Sequence, residues 1–144
     1  MLNSHPHRSD PESAFSIVHN GIITNYKEIR KLLENKGATF ETDTDTEIVA
    51  KLTKYMYDSQ LETGMNLTFS SLVKQVISRL EGSYAFIFKS SHYPNELVAT
   101  RRGSPLLVGI KSEKKLKMDF VDVQFGNAAA VDPRNTSGEL GLLH

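Results

Sequence analysis

A short polar run near the N-terminus has the residue types of an oxyanion-binding turn. The segment His19-Asn20-Gly21 ends an apolar run that begins at Phe15. Asn and Gly tolerate positive φ angles better than other residues, so we predict that a strand stops here in a tight turn. The side-chain amide of Asn20 and the backbone N–H of Gly21 would then donate together to a developing oxyanion. The same dipeptide is also typical of a plain turn.

A second polar cluster, Thr42-Asp43-Thr44-Asp45-Thr46-Glu47, could hold a positively charged group. Thr44 with Glu47 three positions later forms a capping box, which predicts the start of a helix. Asp45, in the first turn, is well placed to bind an ammonium group through a charge-assisted hydrogen bond of about 1.5 to 3 kcal/mol. Alternatively, Asp45 only stabilises the positive end of the helix, which is worth roughly 0.3 to 1 kcal/mol. A calcium loop of the EF-hand type is excluded because its Gly and final Glu are missing.

Three helices are predicted to position these clusters. The first follows Asn25, which forms a capping pair with Glu28, and should end at Gly37 in the left-handed conformation. The second follows Thr44. The third follows Thr68, carries an apolar stripe with helical spacing, and should end near Gly82.

Three strands and a tail are predicted after the third helix. β-rich runs at 83–90, 96–101 and 106–111 are separated by Pro- and Gly-containing turns, which is typical of an antiparallel meander. From Gly126 onward, small and polar residues show no period. We therefore expect a folded part over residues 1–125 and a disordered tail over residues 126–144.

The composition narrows the classes of function. The 17 basic and 17 acidic side chains cancel, so no overall field favours nucleic acid or an anionic membrane surface. The first residues show neither the basic n-region nor the apolar h-region of a signal peptide, and no apolar run reaches the roughly 20 residues that a membrane span needs. We therefore expect a cytoplasmic protein that contacts neither nucleic acid nor membrane.

The sequence also gives little support for a metal site or a reactive thiol. The chain has no cysteine, which excludes disulfides, thiolate metal sites and a Cys nucleophile among these residues. His5 and His7 flank Pro6, but no third ligand follows at a useful spacing, so a surface loop is expected rather than a metal site. We expect neither a metal nor another cofactor.

In their order along the chain, the motifs resemble the glutaminase domain of the glutamine:fructose-6-phosphate amidotransferase family. The resemblance covers residues 3–123 and looks closest to the eukaryotic, fungal type. The phosphoribosyl amidotransferases of purine synthesis share the Asn-Gly and Asp-Thr-Glu segments, but Arg-Gly-Ser-Pro-Leu-Leu is not expected in them. The matching segments are His-Asn-Gly-Ile-Ile-Thr-Asn (19–25), Lys-Gly (36–37), Phe-Glu-Thr-Asp-Thr-Asp-Thr-Glu (40–47), Leu-Glu-Gly-Ser-Tyr-Ala (80–85) and Thr-Arg-Arg-Gly-Ser-Pro-Leu-Leu-Val-Gly (100–109).

The resemblance implies an α+β N-terminal-nucleophile hydrolase fold, in which two antiparallel sheets lie between helix layers. In that family an N-terminal Cys thiol attacks the side-chain amide of glutamine, with its own α-amine as the base. Ammonia then passes to a sugar-isomerising domain, which makes glucosamine 6-phosphate for UDP-N-acetylglucosamine. Carried onto this chain, Asn20 and Gly21 would form the oxyanion hole, Asp45 would hold the α-ammonium of glutamine, and His5 and His19 would line or brace the pocket.

Two family segments have no counterpart in these 144 residues, namely the Cys-Gly-Ile-Phe opening and the carboxylate-binding Arg-Trp-Ala-Thr-His-Gly. The isomerase domains are absent as well. We therefore expect a partial glutaminase domain, inactive alone, whose substrate is glutamine and whose partner is the missing remainder of the enzyme, with a homo-oligomer for the full-length form. Missing strands would leave sheet edges and an apolar face uncovered, which predicts marginal stability or aggregation. The alternative hypothesis is a non-catalytic module that senses glutamine or pairs with a full-length homologue.

Overall fold

The helices and strands follow the order strand, strand, three helices, then four strands. The computed structural model describes residues 4–65, 67–107, 109, 119–122 and 139–143. The elements are β1 (His7–Arg8), β2 (Phe15–Ile23), α1 (Tyr26–Asn35), α2 (Asp45–Glu62), α3 (Phe69–Ile77), β3 (Gly82–Ser90), β4 (Leu97–Arg102), β5 (Asp119–Asp122) and β6 (Glu139–Leu143). No helix in the described part of the chain is long and apolar enough to cross a membrane.

The described strands form one antiparallel sheet with the order β1-β2-β3-β4-β6-β5. The β2–β3 pair is in register from Phe15 opposite Ser90 to Ile23 opposite Gly82. Because side chains alternate between the two faces of a strand, one face of β2 carries buried residues and the other carries exposed ones. On that second face, which we call the outer face, Val18 and Ile22 are 42% and 70% exposed.

The core lies between the other face of the sheet and the helices. α2 packs against β2, and α1 and α3 both contact α2. Burying each large apolar side chain contributes about 1.5 to 3 kcal/mol, so this contact between sheet and helices stabilises the fold strongly. Its fully buried members include Phe15, Ile17, Ile48, Val49, Phe69, Leu72, Val73, Val76, Phe86 and Phe88.

The predicted turn at His19-Asn20-Gly21 is wrong, because β2 continues through these residues to Ile23. Gly21 does have a positive φ of 136°. However, the glycine is required by a close approach to the neighbouring strand: a Cβ atom at Gly21 would lie 2.1 Å from the Ser83 carbonyl oxygen. The Asn-Gly dipeptide therefore marks tight strand pairing inside a sheet.

The helix caps agree with the predictions at two of three N-termini. The hydroxyl groups of Thr44 and Thr68 each accept a backbone N–H from the first turn, as predicted. Asn25 occupies the N-cap position of α1, but its side chain makes no capping hydrogen bond. Its amide donates to the Arg79 carbonyl at 2.9 Å and accepts the Glu81 N–H at 3.0 Å, so it ties the start of α1 to the connection before β3.

The end of α1 agrees with the prediction, whereas α3 and the predicted tail differ from it. Gly37 has a φ of 89°, as expected for the residue that ends α1. α3 ends at Ile77, earlier than the predicted end near Gly82. The predicted disordered tail differs from the structure at Glu139–Leu143, which form β6; residues 126–138 and 144 lie outside the described residues.

The strand predictions are confirmed for β3 and β4, but the third predicted strand is not seen. At 106–111, residues 106, 107 and 109 are not in a strand, and the other positions lie outside the described residues. The sequence predicts two sheets between helix layers. The described residues form one sheet, with helices on one of its faces.

Candidate active site

The Asp45 carboxylate is fixed at the start of α2, beside the end of β2. Its Oδ2 accepts the backbone N–H of Ile23 at 3.1 Å, and its Oδ1 lies 3.4 Å from the Thr46 hydroxyl. Burial opposes ionisation, but the hydrogen bonds with His19 and Ile23 outweigh it and hold the pKa of Asp45 below its ordinary value. Because its side chain is still 24% exposed, the ionised carboxylate can meet a ligand from solvent.

The His19 imidazole lies directly against this carboxylate. Its Nδ1 is 3.0 Å from the Thr46 hydroxyl oxygen and 3.4 Å from Asp45 Oδ1. The ring stacks on Phe86, with centroids 4.5 Å apart and planes inclined by 21°. Its Nε2 is buried and has no hydrogen-bond partner among the described residues. The structure therefore brings together two of the predicted site residues, His19 and Asp45.

His5 lies at the exposed rim of the same cluster. Its ring meets the His7 ring edge-on at 5.2 Å. Burial lowers the pKa of His5, the neighbouring His7 and His19 lower it further, and Asp45 acts in the opposite direction. His5 is thus within electrostatic range of Asp45.

Asn20 and Gly21 are both exposed, but they lie differently from the predicted turn. Asn20 pairs with Ala85 in the sheet, so its side chain belongs to the outer face, opposite to that of His19. Gly21 packs closely on β3: a Cβ atom there would lie 2.9 Å from the Ser104 hydroxyl, which is itself 3.0 Å from the Ser83 hydroxyl. The structure does not bring the Asn20 side chain to the face that carries Asp45.

Glu47 organises the chain segment that leads into α2. This residue is only 4% exposed. Its carboxylate accepts the N–H groups of Glu41 and Thr42 at 2.9 and 2.7 Å and the Thr42 hydroxyl at 2.6 Å. Burial opposes ionisation, but these hydrogen bonds hold the pKa of Glu47 below its ordinary value. The segment before Asp45 is therefore fixed by a buried carboxylate.

A cavity of about 380 Å³ lies between the N-terminal segment and α2. Its walls carry both acidic and basic side chains, and none of the five predicted site residues lines it. The cavity is therefore separate from the Asp45 cluster. It is lined by Ser4, Pro6, His7, Arg8, Asp10, Pro11, Thr39, Glu41, Thr42, Glu47 and Lys51.

Four contributors to the site were missed by the sequence-based interpretation. Thr46 and Phe86 contact His19, and the N–H of Ile23 holds Asp45. Ser104 packs beside Gly21, although the sequence predicts only a Pro- and Gly-containing turn there. Thr46 could have been found from its place in the polar cluster, whereas a backbone N–H such as that of Ile23 leaves no signal in the sequence.

Comparison with known proteins identifies the family. The glutamine amidotransferase domain matches residues 2–116. The chain belongs to this family. This glutamine amidotransferase domain is 58% identical over 133 residues to glutamine–fructose-6-phosphate aminotransferase (isomerizing) of Saccharomyces cerevisiae, covering 92% of the chain but 18% of that relative. It is 52% identical over 134 residues to the human form 2, covering 93% of the chain and 19% of the relative.

Solved structures support the predicted fold of the amidotransferase domain. The allosteric regulatory enzyme of purine biosynthesis superposes with a TM-score of 0.52 at 28% identity, covering 68% of this chain and 19% of that one. Glutamine phosphoribosylpyrophosphate amidotransferase from B. subtilis gives a TM-score of 0.55 at 22% identity, covering 97% of this chain and 24% of that one. The α+β glutamine amidotransferase fold is thereby confirmed, and the curated relatives favour the aminosugar branch over the purine branch.

Proposed function

We propose that this chain supplies the glutamine-holding part of a glutamine–fructose-6-phosphate aminotransferase. The observation that carries the proposal is the ionised, partly exposed Asp45 carboxylate, held at a helix N-terminus by Ile23 and His19. A fixed carboxylate of this kind suits the α-ammonium group of an amino acid, and the charge-assisted hydrogen bond contributes about 1.5 to 3 kcal/mol.

The reaction would require a thiol from outside these 144 residues, which contain no cysteine. A thiolate would attack the side-chain carbonyl carbon of glutamine and move an electron pair onto the oxygen. The family resemblance assigns the stabilisation of that oxyanion to the Asn20 amide and the Gly21 N–H, although the Asn20 side chain lies on the face of the sheet opposite to His19. The intermediate would expel ammonia, which takes its proton from the α-amine that deprotonated the thiol, and water would release glutamate from the thioester.

The proposal extends to the partners of the chain. The remainder of the longer enzyme would supply the thiol, a binding segment for the glutamine carboxylate, and the sugar-isomerising domain that receives the ammonia. We also propose that the longer enzyme is a cytoplasmic homo-oligomer. The curated relatives, of which this chain spans about 18%, support a large additional part.

The ammonium site can be tested by titrating L-glutamine into the labelled chain and following the Asp45 carboxyl carbon and the Ile23 amide by NMR. We expect both signals to shift with an affinity no tighter than about 1 mM, or about 4 kcal/mol, since the carboxylate-binding segment is missing. N-acetyl-L-glutamine, which lacks the ammonium group, should cause no shift.

Two variants complete this test. Asp45→Asn should abolish the shift at Ile23. Asp43→Asn is the matched control, because Asp43 is 99% exposed and pairs with Arg30 at the surface. Equal binding by Asp45→Asn and Asp43→Asn would rule out the ammonium role of Asp45.

A further inference from the structure

The two nitrogens of the His19 ring lie in opposite environments. Nδ1 lies beside two oxygens, the Thr46 hydroxyl at 3.0 Å and Asp45 Oδ1 at 3.4 Å. Nε2 is buried and has no hydrogen-bond partner among the described residues. The whole residue is only 7% exposed, so solvent has little access to the ring.

This asymmetry selects one tautomer. An ionised carboxylate only accepts hydrogen bonds, so the nitrogen beside Asp45 must carry the proton if the contact is to be favourable. A proton on Nε2 would instead be a buried donor without an acceptor in the described part of the chain, which is unfavourable. Of the two neutral tautomers, the Nδ1–H form is therefore expected for His19.

The neutral tautomer orients the carboxylate without cancelling its charge. Nδ1–H donates toward Thr46 and Asp45 Oδ1, the Thr46 hydroxyl donates to the same Oδ1, and the Ile23 N–H holds Oδ2. An imidazolium at this position would form an ion pair with Asp45 and compete with an incoming ammonium group. A neutral ring leaves the full negative charge for the ligand.

The ring itself is held in place by packing. The register of β2 with β3 places His19 opposite Phe86, and the two rings stack. This stacking fixes the plane of the imidazole. Rotation of the ring would exchange Nδ1 with carbon and break the contact with Asp45. The sheet therefore determines the direction in which Nδ1–H points.

We propose that His19 is the positioning residue of the ammonium site: its neutral Nδ1–H tautomer orients Asp45 through a direct contact and through Thr46. This inference rests on the proposed function for its purpose, but the tautomer and the contact are properties of the chain without ligand.

The tautomer can be measured on the full chain by long-range ¹H–¹⁵N correlation, in which Nε2 couples to both ring protons and Nδ1 couples strongly to one. We expect the protonated type of nitrogen signal at Nδ1 and the unprotonated type at Nε2. The reverse assignment, or an imidazolium at neutral pH, would overturn the proposal, and this measurement needs no variant that must fold.

A pair of variants tests the positioning role. Asn at position 19 places an amide near the site of Nδ1, whereas Gln places it near the site of Nε2. We expect His19→Asn to keep the titration midpoint of the Asp45 carboxyl carbon low and His19→Gln to move it up toward that of ordinary aspartate. His5 also faces Asp45 and is common to all three proteins, so it cannot produce the difference.

Equal midpoints in two folded variants, checked by their amide spectra, would overturn the positioning role. L-glutamine added to the same wild-type sample separates the two proposals. If the Nδ1–H tautomer is observed and glutamine shifts neither Asp45 nor Ile23, the proposed function fails while the His19 inference stands. If glutamine shifts both signals and the tautomer is Nε2–H, only the His19 inference fails.

Discussion

At the residue scale, Gly21 meets a demand that no other residue can satisfy. Its φ of 136° is rare for residues with a Cβ atom, and that atom would lie 2.1 Å from the Ser83 carbonyl oxygen. A strained backbone angle alone costs about 1 to 3 kcal/mol. We expect Gly21→Ala to destabilise the chain by more than this, because β2 and β3 must also separate. Urea denaturation measures the loss.

The matched control for Gly21 is Gly37→Ala. Gly37 also has a positive φ, 89°, but no atom lies within 4 Å of the added Cβ. Its loss should be limited to the backbone strain, about 1 to 2 kcal/mol. Equal losses for the two variants would show that the approach of Ser83 is not what selects glycine at position 21.

Substitution of Asn20 can distinguish an effect on catalysis from an effect on stability, because its exposed side chain contributes little to the core. Asn20→Ala should leave the free energy of unfolding within about 0.5 kcal/mol of the wild-type value. In an enzyme completed with its thiol, the same change should lower kcat by about 10² to 10³, as expected for loss of an oxyanion donor. Unchanged kcat would remove Asn20 from the proposed mechanism.

Residues with local signals were predictable, and residues with long-range partners were not. Thr44 and Thr68 cap the helix that follows them, so their roles are readable from neighbouring sequence. Asn25 has the same local pattern, yet its amide binds groups more than fifty positions away, at Arg79 and Glu81. Local capping chemistry is similar in energy to such tertiary hydrogen bonds, so tertiary context decides between them.

At the scale of elements, the length of β2 shows how strand pairing overrides a turn signal. Asn-Gly favours a turn in isolation, but pairing with β3 continues without interruption from Phe15 to Ile23. This extension carries the Ile23 N–H to Asp45. A β2 that stopped at Asn20 would leave the carboxylate without that donor, so the misplaced strand end and the missed Ile23 contact have one cause.

The segment before α2 depends on Glu47. Replacing Glu47 with Gln leaves at least one of the N–H groups of Glu41 and Thr42 without its charged acceptor, which should cost about 1 to 3 kcal/mol of unfolding free energy. Glu34→Gln is the control: Glu34 pairs with Arg30 at the surface, and such pairs contribute about 0 to 1 kcal/mol. Similar losses for both variants would contradict the role of Glu47.

Glu47 and Asp45 also predict acid sensitivity. Because their pKa values are lower in the folded chain than in the unfolded chain, their stabilising contribution is present above the ordinary carboxyl pKa of about 4 and is lost as the pH falls through the folded values. Unfolding free energy measured against pH should therefore fall below about pH 4. Glu47→Gln should flatten this fall, and an unchanged slope would contradict the assignment.

At the scale of the whole molecule, the helices protect one face of the sheet while Val18 and Ile22 on the outer face remain exposed. Apolar side chains exposed on a sheet face in this way promote self-association. Ile22→Thr should reduce concentration-dependent light scattering and leave stability within about 0.5 kcal/mol. If Ile22→Thr still self-associates, another surface of the chain is responsible for the self-association.

The neighbouring residue provides the contrast, since Ile23 is 1% exposed and Ile22 is 70% exposed. Ile23→Thr buries a hydroxyl in the core and should cost about 1 to 3 kcal/mol. If both variants were equally stable, the assignment of Ile22 and Ile23 to opposite faces of β2 would be wrong.

The family and the helical layer were accessible from sequence because ordered motifs and apolar periodicity are properties of the chain itself. The pairing of β4 with β6 was not, because residues 139–143 lie far along the chain and carry no strong strand signal. The opposite faces taken by Asn20 and His19 follow only once β2 is known to continue. The missing information is thus long-range strand pairing in each case.

Ammonia release from L-glutamine tests most directly whether these residues hold glutamine but lack the thiol that cleaves it. The assay compares the 144-residue chain with the same chain joined to a segment that carries the Cys-Gly-Ile-Phe opening and Arg-Trp-Ala-Thr-His-Gly. We expect no release above background from the chain alone. We expect release from the joined protein and a loss of about 10⁶ when its cysteine is replaced by alanine. Ammonia release by the chain alone, or none from a folded joined protein, would contradict the proposal.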